Sequence, residues 1–246
     1  MAITKVTSGM RTLGTGEVTS TNILDGTIEN VDISATAAIA STKLSGVDSG
    51  LASVQTFTSS GTWTRPTGIT KVIIEVQGAG ASGNAYDTAT RLRTGCAGGY
   101  AKKLLDVSSI SSATITVGSG GAAVSGNNPG NDGGNSSWAD GTNTITGNGG
   151  DVQNDVNLYA GDPGATATGG DINIQGQGSS NVATPYQSYS LGGGGNSMLG
   201  FAGQYDDNSA NNRYPDAVGY GSGGGSGYNV TSGAGADGIV IVWEYK

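Results

Sequence analysis

Glycine divides this 246-residue sequence more sharply than any other residue: residues 1–77 hold 8, residues 78–238 hold 38, and residues 239–246 hold none. Glycine in regular structure costs about 0.5–1 kcal/mol relative to alanine, so a stretch this rich in it is either a slack linker or a place where backbones must approach closely. Two features favour the second reading. Aromatic residues interrupt the glycine runs at Tyr86, Tyr100, Trp138, Tyr159, Tyr186, Tyr189, Phe201, Tyr205, Tyr214, Tyr220 and Tyr228, whereas flexible linkers are poor in aromatics. Strongly apolar strand sequences also stand on both sides. The expectation is compact, ordered glycine loops with aromatics filling the gaps. Runs such as Gly192–Gly195 and Gly223–Gly225 suit polyglycine helices packed side by side through their backbones; irregular loops are the alternative. A collagen triple helix is excluded, because glycine keeps no three-residue period and the chain has only five prolines.

The flanking sequence predicts strands. Residues 56–64 alternate, with Phe57 and Trp63 as anchors, and Arg65-Pro-Thr-Gly68 suits a type I turn. Lys71–Gln77, Tyr100–Val107, Ala113–Val117 and Ile239–Tyr245 follow, the last so apolar that it must be buried beside the first strands. Residues 118–238 offer only short candidates, such as Asp171–Gln175. The predicted architecture is all-β: a glycine-rich, β-sandwich-like domain with long ordered glycine loops over residues 51–246, preceded by an extended arm over residues 1–50 with at most one short helix. In that arm Ile23, Leu24, Ile28, Val31 and Ile33 are spaced by polar residues. Ile33, Ala37, Ala40 and Leu44 step by helical intervals, with Ser34 as cap. An arm with so little apolar surface borrows its core from sister chains or a larger particle.

Composition removes several chemistries. The sequence has no histidine, which excludes Ser-His-Asp and Cys-His catalysis and His-ligated zinc. Its one cysteine, Cys96, forms no internal disulfide and reads as a small buried residue. A net charge of −8 argues against nucleic acid, and no apolar run approaches the roughly 20 residues of a membrane span. Gly78-Ala-Gly-Ala-Ser-Gly83 matches a dinucleotide fingerprint, but no amphipathic helix follows it. Carboxylates are the remaining candidate catalysts or calcium ligands: Asp132, Asp140, Asp151, Asp155, Asp162, Asp171, Asp206, Asp207 and Asp216. In glycine- and asparagine-rich loops such residues usually build turns, so neither a catalytic pair nor a metal or cofactor site is assigned. Six of the ten tyrosines fall between residues 186 and 228, among asparagine, serine and glycine, the alphabet of antibody paratopes. Exposed, they suit a glycan or protein epitope; buried, they fill a core.

Four stretches in order carry a resemblance: Phe57-Thr-Ser-Ser-Gly-Thr-Trp-Thr-Arg-Pro-Thr-Gly-Ile-Thr-Lys-Val, Gly98-Gly-Tyr-Ala-Lys-Lys, Ile115-Thr-Val-Gly-Ser-Gly-Gly and Gly233-Ala-Gly-Ala-Asp-Gly-Ile-Val-Ile-Val-Trp-Glu-Tyr. Together they resemble the glycine-rich domain of bacteriophage tail-fibre and related virion proteins. Residues 25–44 resemble a segment of phage fibre shafts and attachment regions. The resemblance implies a non-enzymatic virion protein, a tail or baseplate fibre or adhesin, probing the host surface as a homotrimer. Its partners would be other virion proteins and a host glycan or protein, with no cofactor, no nucleic acid and no membrane insertion. The receptor-binding candidates are Tyr186, Tyr189, Tyr205, Asp206, Asp207, Tyr214, Tyr220 and Tyr228. Ile23, Leu24, Ile28, Val31, Ile33, Ala37, Ala40 and Leu44 are the candidate attachment or trimer contacts. A head fibre or capsid decoration protein without a receptor, and a small polysaccharide-degrading enzyme, are the competing expectations.

Overall fold

The computed structural model describes residues 33–34, 37, 50–86, 92–152, 163–179, 181–182, 193–203, 216–228 and 230–246. The chain divides into two units, Met1–Val47 and Asp48–Lys246. In the first, Ile23, Leu24, Ile28, Val31, Ala40 and Leu44 lie outside the described residues. Ile33 and Ala37 are exposed, and the Ala37 N–H donates to the Ser34 carbonyl at 2.9 Å.

The second unit is all-β among its described residues, as the sequence predicts. Its strands are β1 (Leu51–Phe57), β2 (Gly61–Thr64), β3 (Lys71–Gln77), β4 (Ala85–Tyr86), β5 (Leu92–Arg93), β6 (Tyr100–Asp106), β7 (Ser112–Thr116) and β8 (Ser136–Ala139). They continue with β9 (Thr144–Gly147), β10 (Ala167–Thr168), β11 (Ile172–Ile174), β12 (Asn181–Val182), β13 (Leu199–Phe201), β14 (Val218–Tyr220), β15 (Gly227–Tyr228) and β16 (Ile239–Tyr245). Two antiparallel five-stranded sheets dominate, in the orders β1-β16-β3-β6-β11 and β10-β9-β8-β7-β2. The C-terminal strand therefore pairs with β1 on one side and β3 on the other.

Period-two alternation explains how the sheets face each other. Val72, Ile74 and Val76 of β3 and Val240 and Val242 of β16 point from the first sheet toward Trp63, Ile115, Trp138 and Ile145 of the second, and all are at most 1% exposed. Trp63 and Trp138 meet with ring centroids 6.0 Å apart. One carboxylate enters this core. Glu244 is buried and accepts bonds from the Trp63 indole N–H at 2.8 Å, the Gln55 amide at 2.7 Å and the Ser53 hydroxyl, which fastens edge strand β1 to the sandwich.

The glycine runs leave the same end of this sandwich as a bundle of extended segments. In segment 78–83 the backbone N–H groups donate in a three-residue cycle. Gly78 and Ala81 donate to Gly99 and Cys96, Ala79 and Ser82 to Gly134 and Asn131, and Gly80 and Gly83 to Ala236 and Gly233, at 2.9–3.1 Å. Its carbonyls accept from Gly150, Gly121 and Gly224. Three residues per turn, no internal hydrogen bond and no left-handed φ in this segment are the marks of a polyproline-II-type helix. All six N–H groups and the carbonyls of Ala79, Gly80 and Ala81, which a lone extended chain would leave to water, here bond to one of six neighbouring segments.

Segment 95–99 repeats the arrangement, bonding to segments around residues 80, 148, 165, 177, 195 and 223. Following all such bonds gives a hexagonal lattice of ten segments among the described residues, in three layers. Segments 118–121, 130–134, 147–150 and 164–166 prolong the second sheet, and 233–238, 78–83, 95–99 and 176–177 prolong the first. A third layer, 193–196 and 221–225, lies on the far side of the first and continues no large sheet. Among the described residues, which include Gly193–Gly195 and Gly223–Gly225, the polyglycine reading thus holds and the irregular-loop alternative does not; Gly192 lies outside them. A Cβ on Gly80 would stand 1.8 Å from the Ser222 carbonyl oxygen, and one on Gly98 2.1 Å from that of Gly78. Backbone touches backbone, so among the described residues the expectation that aromatics fill gaps between the runs is corrected: the lattice leaves no gaps there. Trp138 sits in the sandwich core, while Phe201 is 72% exposed.

Candidate binding surface

Each pass of the chain through the bundle fixes where it emerges. The sandwich closes one end of the lattice, so the connections 84–94, 122–129, 151–163, 178–192 and 226–232 all depart from and return to the opposite, distal end. Five loops anchored on one rigid platform is the geometry in which binding residues are commonly carried.

The described parts of four of these loops, 84–94, 122–129, 178–192 and 226–232, are joined to one another. β15 runs parallel to β4, with Tyr228 in register with Tyr86, and β12 pairs antiparallel with β5. The Arg93 N–H donates to the Asn84 side chain at 2.8 Å. Asn128 bridges backbone to backbone with Ala85, and Val124 and Ser232 exchange N–H donors, Val124 to the Ser232 hydroxyl and Ser232 to the Val124 carbonyl. Most of 122–129 is exposed beyond these ties.

The tyrosine cluster of the sequence splits between two places. Tyr228 stands at the distal end, and Tyr186 and Tyr189 lie outside the described residues within the connection 178–192 that starts and finishes there. Tyr205, Asp206, Asp207 and Tyr214 also lie outside them, between Gly203 and Asp216. The two ends of that connection, Gly203 and Asp216, adjoin β13 and β14, which form a two-stranded ribbon on the third layer. Gly200 and Gly219 of this ribbon face inward, where a Cβ on Gly200 would meet the Ser222 hydroxyl at 2.4 Å. Tyr220 therefore faces outward beside Leu199, Phe201 and Val218, exposed rather than filling a core. Tyr86, in the loop opposite Tyr228, was not among the sequence candidates. Its signal was there: eleven residues without glycine, 84–94, interrupting two glycine runs.

The aspartates read as turn and cap builders. Asp132 accepts from the Val152 N–H, Asp216 from the Ala234 N–H, and Asp171 from the Leu104 N–H, at 2.8–2.9 Å. The Leu104 N–H and nearby Lys103 hold the Asp171 carboxyl below its ordinary range. Burial pushes Asp140 up, but the Asn143 backbone and side chain and the Thr142 N–H outweigh it and draw the carboxyl down. Asp155, Asp162, Asp206 and Asp207 lie outside the described residues. Among the described residues no three His, Cys, Asp or Glu side chains converge as a metal site would require. Gly78–Gly83, the apparent dinucleotide fingerprint, is the central lattice segment and opens no helix.

A β-sandwich whose strands run on into a main-chain-bonded glycine bundle, with loops gathered at its far end, defines a glycine-rich β-domain. The family described as a glycine-rich domain matches residues 53–245, and the chain belongs to it. No match is found among curated proteins.

Proposed function

We propose that this chain is a non-enzymatic recognition protein of a phage particle, a tail or baseplate fibre component whose distal loops contact a glycan or protein on the host surface. The observation that supports this best is the gathering of five glycine-poor loops at one end of a lattice that side chains do not hold together. Such a platform presents variable sequence without needing to repack a core, as antibody loops are presented by their sandwich. Tyr86 and Tyr228 belong to the paired strands at that end, and tyrosine is a residue type suited to stacking on sugars or protein. In this reading the arm attaches the domain to other virion proteins, and assembly into a trimer multiplies weak single-site contacts.

The test is adsorption. Virions in which residues 183–192 and 87–91 are replaced by glycine-serine stretches of equal length should lose host attachment while the purified chain keeps its melting temperature. Attachment at the original rate would refute a receptor role. Reducing ends released from host polysaccharide by the purified chain would refute the non-enzymatic assignment.

A further inference from the structure

The two outward faces of the sandwich differ in kind. The second sheet turns out Thr62, Thr64, Ser112, Thr114, Thr116, Ser137, Thr144 and Thr146, a hydroxyl face that antiparallel sheets ordinarily give to water. The first sheet does the opposite. In the register of its ladders Val54, Trp243, Ile73 and Leu104 form one continuous row across four strands. Leu51 and Tyr245 lie on one side of that row, and Ile241 and Ile172 on the other. Leu104 is 58% exposed, Ile172 52%, Leu51 49% and Val54 43%.

Among the described residues of the domain, the exposed large apolar side chains lie on this face, on the ribbon, or at Met198 next to it. The ribbon packs on the third layer, the layer on the outer side of the first sheet, so both apolar areas belong to the same side of the molecule. The face is also electrically balanced. Lys102 pairs with Glu75 at 2.9 Å and Lys71 stands near Asp106, whereas the whole chain carries −8. Strands about 4.8 Å apart and about 3.4 Å per residue give this sheet a projection of roughly 400 Å². Corrugation and the ribbon enlarge its accessible surface toward the about 800 Å² per partner of a stable interface.

We propose that this face is the contact surface for a second copy of the same chain. A neutral apolar area lets a second copy of this acidic chain approach without repulsion and, unlike the equally neutral hydroxyl face, gains from leaving water; with the ribbon its size nears what a self-association interface needs. The inference does not depend on what the distal loops bind.

Light scattering on the full chain tests it. The wild type should carry the mass of two or more copies at micromolar concentration. Leu104→Glu and Val54→Glu, both at exposed sites, should raise the dissociation constant at least tenfold with an unchanged circular dichroism spectrum, and Thr114→Glu on the hydroxyl face should have no effect. A wild type of single-chain mass, as when the chain covers this face with its own residues, would overturn the proposal. So would an assembly that Leu104→Glu leaves intact, since contacts through the arm alone predict that result.

Discussion

Substituting alanine for Gly80 isolates the lattice from every other source of stability. The added Cβ would lie 1.8 Å from the Ser222 oxygen and 2.9 Å from the Gly223 nitrogen, both backbone atoms, where ordinary contact begins near 3.4 Å. Segment 221–225 must therefore retreat by about 1.5 Å, and rotation of a side chain offers no escape. That segment donates from Gly224 to Ala81 at 2.9 Å and accepts at Gly224 and Gly221 from Gly95 and Gly98 at 2.8 Å. Bonds of this length do not survive such a shift. Each buried backbone group left unsatisfied costs about 1–3 kcal/mol, so losing two or three predicts a loss of about 3–6 kcal/mol. That is a large share of the roughly 5–15 kcal/mol that holds a domain folded. Gly61→Ala is the control, because its Cβ meets nothing within 4 Å; its effect should lie between zero and a slight gain. Urea unfolding followed by tryptophan fluorescence, with Trp63 and Trp138 as reporters in the sandwich core, measures both. A difference below about 1 kcal/mol between the two variants would refute the close-packed lattice.

Further predictions concern the polar groups of the sandwich. Glu244→Leu strands the Trp63 and Gln55 donors and should cost about 3–5 kcal/mol, while Glu244→Gln keeps an acceptor and should cost about 1–2 kcal/mol by the same urea assay. Burial and then the Glu75 charge push the Tyr100 hydroxyl well above its ordinary range. A folded value above the unfolded one means stability is complete below about pH 10 and declines as pH rises beyond it, and Tyr100→Phe should flatten that alkaline limb in melting experiments. Asp106, Asp140 and Asp171 are shifted the other way, chiefly by backbone N–H donors, so their contribution is present above about pH 4 and is lost on further acidification.

The sandwich was legible where apolar residues alternate in long runs. Lys71–Gln77 and Ile239–Tyr245 form as read, Tyr100–Val107 stops one residue earlier at Asp106, and the last strand occupies the place its apolar character demands. The hairpin of β8 and β9 was not anticipated, although Trp138 and Ile145 alternate with serine and threonine around Asp140-Gly141, a hairpin turn signal. A strand of four residues carries too few apolar positions to stand out against a glycine background. Composition pointed to close backbone approach but not to the lattice, because hexagonal packing is decided by which segments run side by side, and glycine sequences are nearly interchangeable in that respect. The same degeneracy hid the split of the tyrosines: Tyr220 and Tyr228 are eight residues apart, yet a full pass of the bundle separates them.

The ten-segment lattice has a consequence for how such a chain can change. Its joints ask of an inserted piece only that it begin and finish with bare backbone at the right depth. Material exchanged between two passes, of whatever length or chemistry, leaves the carrier untouched, since closing a longer loop costs only about 0.6 kcal/mol per doubling. A scaffold of this kind lets its exposed tips diversify by wholesale replacement, with no compensating adjustment underneath.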